Sequence, residues 1–93
     1  MSNVTYSNIQ EAVQANRERR INQEVNKVQN AFQGFLNRLL KRVTEENEVE
    51  PPTDEFIYTF AEAPLPEAAE LLKSKGFRVE GAEVHGNPAN VQL

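Results

Sequence analysis

The residues from Ser7 to Glu48 contain no proline and a single glycine, Gly34. Proline and glycine are the residues that most destabilise a helix, so this stretch predicts one helix of about 40 residues. At about 1.5 Å per residue, such a helix is about 60 Å long. A compact domain of this size has a radius of gyration near 13 Å, so the residues that follow cannot cover the whole helix.

Three arrangements of this helix are open from the sequence. It breaks near Gly34 into a helical hairpin, or it covers its own small sheet and leaves frayed ends, or its surplus apolar surface pairs with another chain. A glycine inside a helix costs only about 1 kcal/mol relative to alanine, so Gly34 does not require a break. A chain of 93 residues with a hydrophobic fraction of 39% has little core of its own. We therefore favour pairing with a second copy, most simply as a dimer.

Apolar residues recur along the middle of the helix with alternating spacings of four and three. They are Ile21, Val25, Val28, Phe32, Phe35 and Leu39. Nearly three heptads of this kind are about the minimum for a coiled coil. We predict a coiled-coil seam that forms the oligomer interface, made by Ile21, Val25, Val28 and Phe32. Further along, Leu36, Leu40 and Val43 widen the stripe into a face that covers the C-terminal half of the chain.

Charge is distributed unevenly around the net value of −4. Residues 1–44 carry a net charge of +4, and residues 45–70 carry nine acids and no base. The bases of the helix form a possible face for nucleic acid or for an acidic partner: Arg17, Arg20, Lys27, Arg38, Lys41 and Arg42. Such a face could follow phosphates, or it could neutralise the acidic segment of a neighbouring chain. Glu11, Glu18 and Glu24 interrupt it, which weakens the nucleic-acid interpretation.

The ends of the long helix are marked by local signals. Met1 to Tyr6 is expected to be an arm, and Ser7 with Gln10 fits a capping box, with Thr5 as the rival N-cap. Pro51-Pro52 imposes extended geometry and closes an acidic linker.

The second half of the chain reads as a strand, a short helix and a hairpin. Residues 55–60 alternate like a strand, and Pro66 suits the first position of a helix that ends in a Schellman-type cap at Gly76. Residues 77–85 predict a second strand with a bulge at Gly81, and residues 89–93 predict a third strand after a turn at 86–88.

The expected fold class is therefore α+β. A long amphipathic N-terminal helix is followed by a strand, a short helix and a C-terminal β-hairpin, which together make a small three-stranded sheet. Residues 1–50 are the helix for oligomerisation or partner binding, and residues 51–93 pack on its C-terminal half, so that both form one domain. The predicted core consists of Phe32, Phe35, Leu36, Leu39, Leu40, Val43, Phe56, Tyr58, Phe60, Leu71, Leu72, Phe77 and Val79.

Catalytic and metal-binding patterns are weak in this sequence. There is no cysteine, and His85 is the only histidine, without a nucleophile motif or a second ligand nearby. The acids between Glu45 and Glu55 lack the central glycine of a calcium loop. We expect no enzyme activity, no cofactor and no metal. No apolar run is long enough to span a membrane and no signal-peptide pattern precedes the helix, so we expect a cytoplasmic protein.

These observations favour a non-catalytic oligomeric interaction protein that binds another macromolecule, for example as a regulator or inhibitor of a larger protein. Its expected partners are a second copy and an unidentified protein. One alternative is a structural component of a larger assembly or of a virion-like particle. The second alternative is a nucleic-acid-binding protein that uses the basic face of the helix.

Overall fold

The computed structural model describes residues 3–93, and its largest element is helix α1, Tyr6–Glu45. Thr5 is the N-cap: its hydroxyl accepts from the backbone N–H of Asn8, and the Asn8 side chain accepts from the backbone N–H of Thr5. The capping box at Ser7 and Gln10 was therefore wrong, and Thr5 forms one instead. Met1 and Ser2, the start of the predicted arm, lie outside the described residues.

Helix α1 runs without a break through Gly34, so the hairpin alternative was wrong. The space beside Gly34 is occupied by the guanidinium of Arg38, which lies about one turn further along. The chain measures 68 × 25 × 21 Å and has a radius of gyration of 18.1 Å. A compact chain of this length would have a radius of gyration of about 13 Å, so the long helix extends well beyond the body.

The body of the molecule is built on one side of α1. It contains strand β1, Phe56–Thr59, helix α2, Pro66–Ser74, and the strands β2, Arg78–Glu80, and β3, Glu83–Gly86. The sheet has the order β1-β3-β2, and both neighbouring pairs are antiparallel. Strands β1 and β2 therefore run parallel to each other with β3 between them. The predicted α+β class, with a C-terminal hairpin in a three-stranded sheet, is confirmed.

The hairpin lies earlier in the chain than the sequence predicted. Residues 77–85 form two strands rather than one, because Gly81 adopts a φ of 59° and reverses the chain between Glu80 and Glu83. A glycine at the first position of a two-residue turn suits the twist of a hairpin. The predicted third strand at residues 89–93 is irregular instead, and its backbone is held by a hydrogen bond from Gln92 N to Lys75 O of 2.8 Å.

The end of α2 is a Schellman motif, as predicted. The N–H of Phe77 donates to the carbonyl of Leu72, and the N–H of Gly76 donates to the carbonyl of Lys73. Gly76 has a φ of 99°, and a Cβ atom there would lie 2.4 Å from the carbonyl oxygen of Asn90. Both the left-handed conformation and the C-terminal segment packed on it therefore require glycine at this position.

Phe32 of α1 is the centre of the core. Its ring meets the rings of Phe56 and Phe77 edge-on, at centroid distances of 5.2 and 5.3 Å. Such edge-to-face geometry is the arrangement that aromatic pairs prefer. The buried cluster comprises Val25, Val28, Phe32, Phe56, Phe60, Ala68, Leu72, Phe77 and Val84, and Leu39 is also buried. Leu40 and Leu71 were predicted in this core and are instead exposed.

The predicted seam is the part of α1 that the chain covers itself. Val25, Val28 and Phe32 are 7%, 0% and 1% exposed and belong to the core cluster, while Ile21 lies at its edge, partly buried. These side chains pack with β1, β3 and α2, so they do not form a free surface for a second copy. We correct the predicted interface accordingly. A helix that packs on the sheet of its own chain shows the same spacing of apolar residues as a coiled-coil helix, because each buries one face.

Candidate interaction surfaces

The N-terminal part of α1 is left exposed by the rest of the chain, which meets it only around Arg17. Every residue from 3 to 20 is exposed, although this segment carries large apolar side chains. Tyr6, Ile9 and Val13 are 74%, 51% and 59% exposed. Their spacing of three and four places them along one side of the helix. We call these three residues the N-terminal stripe.

The N-terminal stripe ends at the flank of α1 that lies next to the loop before α2. Val13, Asn16, Arg17, Arg20 and Leu65 line one shallow depression, where α1 meets the loop before α2. Two hydrogen bonds from the guanidinium of Arg17 reach the carboxylate of Glu67 at the start of α2, one of them 2.7 Å from Nη2 to Oε1. The stripe is therefore an apolar edge that begins where the body ends.

A second apolar surface lies at the other end of α1. It is a groove of about 360 Å³ lined by Leu36, Leu39, Leu40, Val43, Pro51, Pro52, Asn87, Pro88 and Ala89. We call it the C-terminal groove. Leu40 stands in it 66% exposed, and its walls are the proline pair of the linker and the loop after β3. Proline and alanine offer no side-chain hydrogen bonds, so an apolar group is the occupant that this groove suits.

The predicted basic face is largely occupied by acids of the same chain. Arg17 pairs with Glu67, Arg20 with Glu24, Lys41 with Glu45, and Arg42 with both Glu48 and Asp54. Of the six predicted bases, Lys27 and Arg38 are the two for which the described part of the chain contains no ion pair. The basic helix thus neutralises much of the acidic segment of its own chain. In the sequence analysis, one interpretation was that it neutralises the acidic segment of a neighbouring chain.

Arg42 fastens the acidic linker to the end of α1. Its guanidinium donates two hydrogen bonds to the carboxylate of Asp54, at 3.1 and 2.9 Å, and lies 3.5 Å from Glu48. The hydrogen bonds from Arg42 lower the pKa of Asp54, and those from Arg17 lower the pKa of Glu67 in the same way. This clasp holds Pro51 and Pro52 beside the helix and so shapes one wall of the C-terminal groove.

Glu24 positions the loop that borders the N-terminal stripe. Among the described residues it is the one charged side chain that is buried, at 7% exposure. Its Oε1 accepts a hydrogen bond of 3.0 Å from the backbone N–H of Leu65, the N-cap residue of α2. Leu65 has no side chain that can cap a helix, so the carboxylate from α1 takes part of that role.

His85 lies beside two carboxylates of the described residues. Its Nδ1 atom lies 3.6 Å from a carboxylate oxygen of Glu55, and its Nε2 atom lies 3.2 Å from one of Glu83. In residues 3–93 no group of three or more potential ligands is arranged to hold a metal ion. The same part of the chain contains no helix that is both long and apolar enough to cross a membrane.

The outer side of α1 opposite the body is dominated by amides. Asn22, Gln23, Asn26, Asn30, Gln33 and Asn37 are exposed, and Lys27 is the charged residue among them. Uncharged amides both donate and accept hydrogen bonds, so this side is polar and carries little charge.

The N-terminal stripe was missed as a site because Ile9 and Val13 fall outside the heptad frame that begins at Ile21. The shift in register could have indicated it, because an apolar residue that does not share the core-facing register of the helix is not covered by the chain's own core. No family model matches the chain, and neither a curated protein nor a solved structure is significantly similar to it.

Proposed function

We propose that this chain is a non-catalytic interaction protein that acts by binding another macromolecule through the N-terminal stripe. The observation that carries this proposal is the uncovered segment from residue 3 to residue 20, with Tyr6, Ile9 and Val13 on one side. An amphipathic helix with apolar anchors at positions i, i+3 and i+7 is the form that docks into apolar grooves of partner proteins.

Energetics favour a binding role for this segment over a purely solvated one. Tyr6, Ile9 and Val13 are apolar where a solvated helix face would ordinarily carry charged residues. The segment gains its packing only when another surface covers the stripe. Burying a Val or Ile side chain contributes about 1.5–3 kcal/mol, so two or three such contacts supply a useful binding energy.

A regulator or inhibitor of a larger protein is the form of this function that we favour. The proposal includes a cytoplasmic location and no cofactor. It also includes an oligomer, whose contacts are made by surfaces other than the internal seam. A structural component of a larger assembly is the alternative with a specific observation in its favour, since apolar surfaces lie at both ends of α1. Nucleic-acid binding is the weaker alternative, because ion pairs within the chain occupy four of the six bases.

A site-specific photo-crosslinker tests the proposal directly. Placed at Val13 in the full chain, in the cells that produce it, the crosslinker is expected to give discrete adducts that disappear when Ile9→Asp is added. The matched control carries the crosslinker at Asn30, on the amide side of the same helix, and is expected to give no such adduct. Equal adducts from both positions, or none from Val13, would refute the proposed binding surface.

A further inference from the structure

Strand β1 lies at one edge of the sheet, and in the described part of the chain β3 is its one neighbouring strand. The N–H of Phe60 donates to the carbonyl of Ala82, which extends the register of the β1–β3 pair. In an antiparallel pair, residues that bond to the neighbouring strand alternate with residues whose backbone groups point away from it. Tyr58 therefore bonds to β3, whereas the N–H and C=O groups of Ile57 and Thr59 point to the open side of β1.

The open edge of β1 is unprotected. In residues 3–93 the outward backbone groups of Ile57 and Thr59 have no hydrogen-bond partner. Proteins often protect such an edge with lysine or proline, because it is a template for a further strand. The strand sequence, Phe-Ile-Tyr-Thr, contains neither. At the other edge the same alternation directs Arg78 and Glu80 of β2 to β3, so that Val79 alone in β2 points outward. β1 is therefore the edge that suits a further strand.

One flank of α1 runs along β1, and contacts at both ends of the strand locate it. Arg42 donates two hydrogen bonds to the carboxylate of Asp54, shortly before β1. Lys27 lines a shallow depression together with Phe60, directly after β1. Helix and strand therefore run in opposite directions, and the flank of α1 between residues 27 and 42 lies beside β1.

Four residues of this flank recur at spacings of four, three and four, which keep them on one side of the helix. They are Lys27, Ala31, Gly34 and Arg38. Alanine and glycine are short, so the two bases are the side chains that reach beyond the flank. Both bases are exposed, and neither forms an ion pair in residues 3–93, although Glu62 lines the depression at Lys27. We call the open edge of β1 and this side of α1 the β1 channel.

We infer that the β1 channel binds an extended acidic segment of a partner protein, which adds to β1 as a fourth strand. This site goes beyond the proposed function, because it is a surface separate from the N-terminal stripe. The outward groups of Ile57 and Thr59 hold the backbone of the segment by hydrogen bonds, as in other cases where a peptide extends a sheet. The uncompensated charges of Lys27 and Arg38 select acids among its side chains.

The alternation of a strand defines the pattern of the ligand. Lys27 and Arg38 lie about 16 Å apart along the axis of α1. The first and fifth residues of a strand are about 13 Å apart and point to the same face, so acids at these positions reach both bases. The residues between them point to the other face, where Ile57 is 59% exposed and suits an apolar neighbour. The preferred segment therefore alternates acidic and apolar residues.

The chain itself is a poor source of such a segment. An acid, an apolar residue and an acid follow one another in this sequence only at residues 48–50. There Arg42 already pairs with Glu48, and Pro51 interrupts any strand directly afterwards. A partner protein, rather than a second copy, is therefore the expected source.

Amide exchange of the full chain, measured by NMR with a capped heptapeptide of alternating glutamate and valine, tests the inference. The peptide is expected to bind with a Kd of about 0.1 mM, since a short flexible strand loses entropy on binding, and to bind more weakly at high salt. It should slow exchange at Ile57 and Thr59 about tenfold or more, because their N–H groups become hydrogen-bonded. Phe60, whose N–H already donates to Ala82, should change little. A peptide of alternating lysine and valine is the matched control and should bind at least about tenfold more weakly.

Two variants test the two parts of the site separately. Lys27→Glu is expected to weaken binding of the glutamate peptide about tenfold, because it replaces an attraction by a repulsion. Arg19→Glu makes the same change of charge outside the β1 channel and should bind like wild type. Thr59→Pro removes one outward N–H but no hydrogen bond to β3, so it should fold and lose most of the affinity. The exchange measurement on wild type needs no substitution and decides the inference even where Thr59→Pro fails to fold.

Three results would overturn the inference. Slow exchange at Ile57 and Thr59 in the free chain would show that the edge is already covered, and protection that rises with protein concentration alone would show that a second copy takes it. Equal binding of the two peptides would remove the selection for acids. Ile9→Asp, on the N-terminal stripe, is expected to bind the glutamate peptide like wild type. The β1 channel and the proposed function, which the crosslinker at Val13 tests, can therefore fail independently.

Discussion

The carboxylate of Glu24 on α1 accepts a hydrogen bond of 3.0 Å from the backbone N–H of Leu65, 41 residues further along the chain. This contact joins the middle of the long helix to the start of α2 and fixes the loop where the N-terminal stripe meets the body. Because Glu24 is buried, the loss of its acceptor leaves a backbone N–H without a partner.

Two replacements of Glu24 therefore distinguish the contribution of its hydrogen bond to stability from the contribution of its charge. Glu24→Ala is expected to lower the free energy of unfolding by about 1–3 kcal/mol, the cost of a buried group left unsatisfied. Glu24→Gln retains an acceptor oxygen and should cost less. The exposed Glu11→Ala is the control and should stay within about 0.5 kcal/mol of wild type in urea unfolding. Equal losses in the Gln and Ala variants would contradict the capping role.

Val28 tests whether the heptad stripe belongs to the chain's own core. Val28→Ala removes two buried methyl groups, and we expect it to cost about 1.5–3 kcal/mol in chemical unfolding. The control Ile9→Ala, on the exposed stripe, should change stability by no more than about 0.5 kcal/mol. Both transitions are expected to be independent of protein concentration in dilute solution. A midpoint for wild type that rises with concentration in this regime would indicate that Val28 is buried by another chain instead.

Two glycines are expected to respond to alanine in opposite directions. Gly34→Ala places a methyl group in ordinary contact with Arg38 at a half-buried position of the helix, and should stabilise the protein by about 0.5–1 kcal/mol. Gly76→Ala places a Cβ on a left-handed residue against the carbonyl of Asn90, and should destabilise it by about 1–3 kcal/mol. Thermal unfolding measures both. A neutral Gly76→Ala would show that the C-terminal segment does not pack as described.

Acid should lower the stability of the fold by weakening the ion pairs Arg42–Asp54 and Arg17–Glu67. The pKa values of Asp54 and Glu67 are lowered by hydrogen bonds from Arg42 and Arg17, so the stability from these pairs is complete above the unfolded pKa, near 4. It is lost as the pH falls below that value and through the lowered folded pKa. Asp54→Asn and Glu67→Gln should each flatten the pH dependence of unfolding below about pH 4. An unchanged slope in both pair variants would contradict the assignment.

Local chemistry made much of this fold predictable. Pro66 and Gly76 mark the two ends of α2, and Pro51-Pro52 marks the end of the linker, because each restricts the backbone in one way. The turn at Gly81 was misread as a bulge, since a glycine inside an alternating strand serves either purpose until the pairing of β1 with β3 decides between them.

The candidate surfaces were harder to predict than the fold. Periodicity locates the buried stripe of α1 but does not tell whether the cover comes from the same chain or from another, so Val25 and Val28 were assigned to the wrong partner. Likewise, charge counts left open whether Arg17 and Arg42 would meet nucleic acid or an acidic partner, and only the three-dimensional fold brings Glu67 and Asp54 of the same chain to them.

Amide hydrogen exchange along α1, measured in solution dilute enough for the chain to be monomeric, tests most directly that one part of this helix is internal and another is uncovered. Amides between residues 24 and 39 are expected to exchange only through global unfolding, and those between residues 6 and 20 through local fraying, with far lower protection. Equal protection of the two segments in the monomer, or faster exchange at Val28 than at Val13, would contradict this division of the helix.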